Sequence, residues 1–289
     1  MKYNFINLRG ISWFILSLLV SSFGDVLMKY LGSGIHPYQV VFLRFMFATL
    51  ILLPWLYINK SAFITTRIPL HFIRGALLFC GISFWCMGLN LVKISLATTI
   101  NFTIPIFVSI LAVIFLKERF TIFRILATLL GFIGIIVSMN IVSMNFNILS
   151  LALLVSSLMF ATLDVINKKF VTNESTISML FYSNIFTMLL SAVPAIYVWV
   201  PIDWYDIGVF FVLGLVANLI LYCLLKGFAL VDASALAPYR YIELLFSVSL
   251  GYIFFREVPD SHIVYGACVI IIATLLVLYE GLLGKKIRV

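Results

Sequence analysis

The chain has 289 residues, of which 64% are hydrophobic and 10% charged, against about 25% charged residues in an ordinary soluble domain. That deficit excludes a soluble globular core, and the formal net charge of +8 reads as membrane orientation rather than nucleic-acid binding, because the basic residues sit mainly in short connections between apolar runs. A membrane barrel is excluded as well, since no stretch alternates apolar and polar residues over about ten positions, and helices are then the remaining way to satisfy a backbone in lipid.

Ten transmembrane helices are expected, at 10–31, 37–58, 71–91, 95–117, 121–140, 147–169, 176–197, 205–229, 232–255 and 260–282. Each is long enough to cross about 30 Å of hydrocarbon. Lys2 and Arg9 precede the first run as they would in a signal peptide, but no small-residue cleavage site follows and the run continues past Phe23, so an uncut helix is expected. Asp25 and Lys29 near its end stand four apart and read as a local ion pair. Trp85 in the third helix, and Asn101 and Phe102 in the fourth, are candidates for a polar or aromatic cavity wall. Pro105, also in the fourth helix, removes the bond to the carbonyl of Asn101. The sixth helix repeats the first motif with Asp164 and Lys168. Asn218, Tyr222 and Lys226 share one face of the eighth, where they line a cavity or Lys226 simply reaches the membrane edge.

The ninth helix carries the strongest candidates, in the segment Ala237, Pro238, Tyr239, Arg240, Tyr241, Ile242, Glu243. At 1.5 Å per residue Arg240 and Glu243 lie roughly 12 and 16 Å from the helix start, close to the midplane, and their spacing of three places them on one face. A charge at that depth costs roughly 2.5–3.5 kcal/mol and must face protein or water. Two readings are open. The pair neutralises itself and locks the ninth helix to its neighbours, or Arg240 meets an anionic group, Glu243 a cationic one, and Tyr239 and Tyr241 present ring faces to the same ligand. Pro238 frees the carbonyl of Ser234 as Pro105 frees that of Asn101. Cys80, Cys86, Cys223 and Cys268 lie inside apolar runs without metal-site spacing and read as packing residues.

A constant shift of 139 positions relates the two halves. It carries Asp25–Lys29 onto Asp164–Lys168, Phe42 onto Phe181, Gly88 onto Gly227, Leu91–Ser95 onto Leu230–Ser234, Asn101 onto Arg240 and Glu118 onto Glu257. The expected units are 1–143 and 144–289. Five helices is an odd number, so the second unit enters the membrane from the opposite face and the repeats are inverted. Such repeats give a carrier two related conformations around a midplane site. Inversion places Asp25 with Lys29 and Asp164 with Lys168 on opposite sides, where each pair is expected to close a gate. With the N-terminus in the cytoplasm, all but Lys93 and Arg256 of the basic residues assigned to connections fall inside, so both termini are expected there. Trp13, Trp55, Trp199 and Trp204 near helix ends read as an interfacial belt. Ser247 with Gly251, and Ala127 with Gly131, read as close-packing pairs. No GxxxxGK[ST], HExxH or GxSxG motif occurs, and His36, His71 and His262 lie at helix ends far apart in sequence, which argues against an enzyme.

With these residues in hand, the whole chain resembles the drug/metabolite transporter superfamily, in its ten-helix branch with two EamA-type repeats. The resemblance rests on the paired repeats and on the segments from Pro105 to Glu118 and up to Glu257. More narrowly it is similar to the S-adenosylmethionine uptake transporters of rickettsia-like intracellular bacteria, through FGDVLMKYLG (23–32), LRF (43–45), IRGALLF (73–79), LDVINKKFV (163–171), ESTISMLFYS (174–183) and VDASALAPYRYIELLFS (231–247). The resemblance implies a secondary transporter importing S-adenosylmethionine across a bacterial cytoplasmic membrane by alternating access, in exchange for S-adenosylhomocysteine, with Arg240 on the carboxylate, Glu243 on the cationic groups, and Tyr239, Tyr241 or Phe102 on adenine or the sulfonium. The alternative is an exporter of amino acids or other metabolites from the same superfamily. The expected partners are a small-molecule substrate and membrane lipid, with no nucleic acid, metal or cofactor, and the expected state is a monomer.

Overall fold

The computed structural model describes residues 2–31, 34–58, 64–91, 100–118, 121–138, 150–256 and 261–283. Ten helical spans follow in order: α1 (Lys2–Leu31), α2 (Pro37–Ile58), α3 (Ile68–Leu91), α4 (Ile104–Leu111, continued by a π-helical turn Ala112–Leu116), α5 (Ile122–Ser138), α6 (Ser150–Phe170), α7 (Thr176–Tyr197), α8 (Trp204–Leu230), α9 and α10 (Ser261–Leu283). The span α9 comprises a turn Ala233–Leu236, a 3₁₀ stretch Ala237–Ile242 and a helix Glu243–Phe255. Among the described residues there is no strand. Six helices are long and apolar enough to cross a membrane, within α1, α2, α3, α6, α7 and α8, and shorter apolar runs occupy α4, α5 and α10.

The distribution of side chains is that of a bundle dissolved in lipid. Leu189, Val193 and Ile196 on α7 and Ile271, Ile272 and Leu275 on α10 point outward, while Gln39, Ser156, Ser157, Ser183, Thr187 and Ser191 are buried. With no water to drive apolar association, membrane helices pack through small and hydroxylated residues. The hydroxyls of Thr187 and Ser191 return to backbone carbonyls of their own helix, and Thr187 also reaches the carbonyl of Gly75 on α3. Gly214 on α8 lies so close to α2 that a Cβ there would sit 2.7 Å from the backbone nitrogen of Ala48. Trp55, Trp199 and Trp204 are exposed near helix ends. Trp13, expected in the same belt, is half-buried and packs edge-on against Tyr222 of α8.

The packing obeys the internal repeat. α1 packs on α8 as α6 packs on α3; α2 packs on α8 as α7 packs on α3; α4 meets α6 as the helix of α9 meets α1. The related pairs α2 with α7 and α5 with α10 pack on each other. Exchanging the two halves therefore preserves the main helix pairings, and with five spans in each half the bundle is two inverted five-helix repeats. The backbone repeats an unusual detail as well: Lys117 (φ 54°) and Arg256 (φ 57°), 139 positions apart, both end their spans in the left-handed region, which non-glycine residues seldom enter.

Two sequence expectations change. The ninth span is not one continuous helix, because Pro238 sits in the first turn of a 3₁₀ stretch. The short turn Ala233–Leu236 ends before it, so the proline breaks the span into pieces rather than kinking a helix through its middle. Pro105 likewise occupies the first turn of α4, where its missing N–H leaves no bond unmade. The repeat equivalents Leu91–Ser95 and Glu257 are not fully among the described residues: Leu91 closes α3, whereas 92–95 and Glu257 lie outside them.

Candidate functional site

Between the repeats lies a cavity of about 200 Å³. α1 contributes Asp25, α2 Arg44, α3 Trp85, α6 Phe160, Asp164 and Asn167, α7 Asn184, and α9 Arg240 and Glu243; Asn101 stands just before α4. Twenty of its twenty-two wall residues form ten pairs related by the 139-position shift, among them Asp25 with Asp164, Trp85 with Leu224, Asn101 with Arg240 and Ile104 with Glu243. The cavity thus sits on the axis that exchanges the repeats. The paired positions share place but differ in chemistry, which makes the wall asymmetric. Arg44, whose counterpart Ser183 is off the wall, adds to that asymmetry.

The 3₁₀ stretch determines how α9 presents its charges. At three residues per turn, Arg240 and Glu243 stand one above the other, with the backbone N–H of Glu243 bonded to the carbonyl of Arg240. Arg240 donates to the carboxylate of Asp164 on α6 in a short ion pair, and its guanidinium lies 5.8 Å from the ring of Phe14. Glu243 is flanked by Ser21 of α1. Asp25 is exposed to the cavity. Arg44 contacts the sulfur of Met28 at 3.5 Å through Nη1 and leaves Nε buried without a partner.

Outer partners fix which way two wall amides point. Nε of Arg74 donates to Oδ1 of Asn167 at 2.8 Å, so Nδ2 of Asn167, which has no partner, is the free donor. Arg74 is itself held by the carbonyl of Met179 and a ring nitrogen of His71. Nδ2 of Asn184 donates to Oδ1 of Asn218 at 2.7 Å, and Nδ2 of Asn218 donates to the carbonyl of Ala48 at 2.8 Å. That polarity leaves Oδ1 as the other polar atom of the Asn184 amide, and a third wall amide, Asn101, keeps its Oδ1 buried without a partner.

At the end of the bundle where α8 passes into α9, three charged residues hold the connection. Glu118 accepts from the backbone nitrogens of Ala233 and Ser234 at 3.0 and 2.9 Å and from the Ser234 hydroxyl at 2.6 Å. Arg124 donates to the Ser234 hydroxyl at 2.7 Å and pairs with Asp232 at 3.4 Å. Lys168 donates to the carbonyls of Phe228 and Val231 at 2.7 and 2.8 Å, a cation on the unsatisfied carbonyls of a helix C-terminus.

The sequence pattern of the EamA-like transporter family matches residues 8–140 and 147–279. The chain is 45% identical to the S-adenosylmethionine uptake transporter of Rickettsia prowazekii (strain Madrid E), over 94% of this chain and 93% of that protein. This chain belongs to the EamA-like transporter family. It is also 43% identical to the S-adenosylmethionine uptake transporter of Rickettsia bellii (strain RML369-C), over 96% and 97% of the two chains, and 26% identical to a riboflavin transporter of Brucella anthropi over 84% of this chain and 88% of that one. One solved crystal structure superposes with a TM-score of 0.76, covering 100% of this chain and 99% of its own at 17% identity, which shows a shared fold.

Of the residues singled out from sequence, Trp85, Asn101, Arg240, Glu243, Asp25 and Asp164 stand on the wall of this EamA-like transporter's cavity. Tyr239 is buried in the apolar core with Phe14 and Phe228. Tyr241 packs against Phe102, with ring centroids 5.9 Å apart, and donates to the carbonyl of Thr128 at 3.0 Å. Asn218 stands behind Asn184, and Tyr222 lies between Trp13 and Lys226. Asp164 turns to Arg240 and Lys168 to the α8 carbonyls, rather than to each other. The side chain of Lys29 lies outside the described residues. Sequence reasoning missed Arg44, Phe160, Asn167 and Asn184. Arg44 carries a readable signal, a charge seven residues into an otherwise uncharged span. Asn167 and Asn184 carry none, since their value comes from partners on other helices.

Proposed function

We propose that this membrane protein takes up S-adenosylmethionine by alternating access. What carries the reading is a charged cavity lying on the axis between inverted repeats, the place where a carrier of this architecture binds its substrate; the names of the Rickettsia relatives supply the substrate. Trp85 and Phe160 give the adenine ring its stacking faces, with Phe102 behind the wall in support. The Asn167 amide donates to a ring nitrogen of adenine and the Asn184 carbonyl accepts from its amino group. Asp25 and Glu243 meet the cationic groups. Arg240 with Asp164 couples α9 to α6, while Tyr239, Tyr241, Asn218 and Tyr222 hold the wall from behind.

The contacts of Glu118, Arg124 and Lys168 with the α8–α9 connection form the closed gate of the conformation described, and Asp25 with Lys29 belongs to the opposite gate. The protein works as a monomer in a bacterial cytoplasmic membrane, both termini inside, with its units divided at 143/144. Inward movement of a substrate of net charge +1 draws on the membrane potential, and exchange for neutral S-adenosylhomocysteine keeps that term. Uptake of labelled S-adenosylmethionine into proteoliposomes holding the purified chain tests the reading. Saturable uptake, inhibited by unlabelled S-adenosylmethionine and little affected by free methionine, is expected. Absence of uptake, with a pH gradient driving an amino acid instead, replaces it with the exporter reading.

A further inference from the structure

Five ionisable side chains stand in the cavity wall: Asp25, Asp164, Glu243, Arg44 and Arg240. Asp164 and Arg240 neutralise each other, which leaves two carboxylates and one guanidinium. No ion pair joins Arg44 to a carboxylate among the described residues; the thioether of Met28 is a weak acceptor, and Nε is buried and unpartnered. Ionised groups at membrane depth are retained where something pairs with them. Their order is also informative. Along α1, Glu243 stands beside Ser21, Asp25 follows one turn on, and Arg44 contacts Met28 a further turn along, while Arg240, on the far side of Glu243, is paired with Asp164. The sequence of charges along the wall is therefore plus, minus, minus.

We propose that these three side chains are the charge negative of the substrate's amino-acid arm, with Arg44 on the carboxylate, Asp25 on the ammonium and Glu243 on the sulfonium. The inference rests on the S-adenosylmethionine reading above and assigns its contacts. In that molecule the carboxylate and the ammonium share one carbon, and the sulfonium lies two methylenes further on, so its charges run minus, plus, plus. Both guanidinium groups keep a buried Nε without a partner, but Arg240 is the less suited anion receptor, because its Nη2 is committed to the carboxylate of Asp164 and a second carboxylate there would meet a like charge. Arg44 has no carboxylate paired with it among the described residues and offers its planar fork to one. The absence of an arginine at Ser183, the repeat-related position, gives the wall a single anion receptor, as a substrate with a single anion requires.

The test uses proteoliposomes holding the full chain and two tracers, labelled S-adenosylmethionine and its decarboxylated form, which lacks only the carboxylate. The wild-type protein is expected to prefer the first by about tenfold or more, the scale of a hydrogen-bonded charge pair. Arg44→Gln is expected to bring the two within about twofold of each other while still taking up the decarboxylated tracer. Glu243→Gln is expected to erase instead the preference for S-adenosylmethionine over S-adenosylhomocysteine, which lacks the sulfonium. An Arg44→Gln protein that folds yet keeps the wild-type ratio, or takes up neither tracer, overturns the assignment. So does a wild-type protein that accepts both tracers equally, a result that needs no variant. Should the wild type take up neither, the substrate reading itself falls, and the two failures are told apart.

Discussion

Asp164 and Arg240 show how much depends on one contact between the repeats. Both are largely buried, at 8% and 13% exposure, and each satisfies the other's charge across helices 76 positions apart in sequence. Removing one partner strands the other, which costs several kcal/mol in a dry interior and less beside a wet cavity. Asp164→Asn is expected to lower stability by about 1–3 kcal/mol. The double variant Asp164→Asn with Arg240→Gln is expected to recover most of that, because no unpaired charge remains. Thermal unfolding of the four proteins in detergent gives the coupling; additive losses would mean that the pair does not act as a unit. The same contact explains why Arg240 and Glu243, three apart on one face, do not lock to each other.

The proline-broken ninth span joins the connection proposed as a gate to the cavity wall. Its first turn is capped from outside by Glu118, which takes the two orphaned backbone N–H groups of Ala233 and Ser234, the service an N-cap residue performs for its own helix. Its 3₁₀ stretch holds Arg240 in the cavity, and its helix begins at Glu243. The capped end and both charges thus lie on one continuous span. Glu118→Ala is expected to open the bundle at that end. In a chain whose four cysteines are replaced, a single cysteine at Leu224 on the cavity wall is expected to react with a membrane-impermeant thiol reagent from the Glu118 side about tenfold faster once the cap is lost. An unchanged rate would remove Glu118 from the gate.

For the whole molecule, the pairing of wall positions by the 139-residue shift means that one cavity is built twice from equivalent places. Inverted repeats allow the bundle to close at either end around it, while the unlike residues at paired positions let a single asymmetric molecule bind in one way. A substrate of net charge +1 entering a negative interior gains about 2.3 kcal/mol per 100 mV, roughly a 50-fold accumulation. Proteoliposomes given an inside-negative potassium diffusion potential are therefore expected to accumulate labelled S-adenosylmethionine, with loaded S-adenosylhomocysteine leaving this dependence in place. Uptake indifferent to potential would show that another charge moves in compensation.

Composition and the apolar runs by themselves determined a ten-helix membrane protein, because lipid leaves the backbone few other choices. The constant shift between Asp25–Lys29 and Asp164–Lys168, with an odd number of spans per unit, determined the inversion. Depth along a helix was legible too, and it led to Arg240 and Glu243. The direction in which each side chain points across the bundle was decided only by tertiary structure. Tyr239 and Tyr241 sit beside Arg240 in sequence yet face the core, since immediate neighbours on a helix point about 100–120° apart and only the packing decides which of the three turns to the cavity. Lys168 stands four residues from Asp164 yet serves the end of α8. Asn167 and Asn184 acquire a fixed polarity only from Arg74 and Asn218, partners that periodicity within one helix cannot supply.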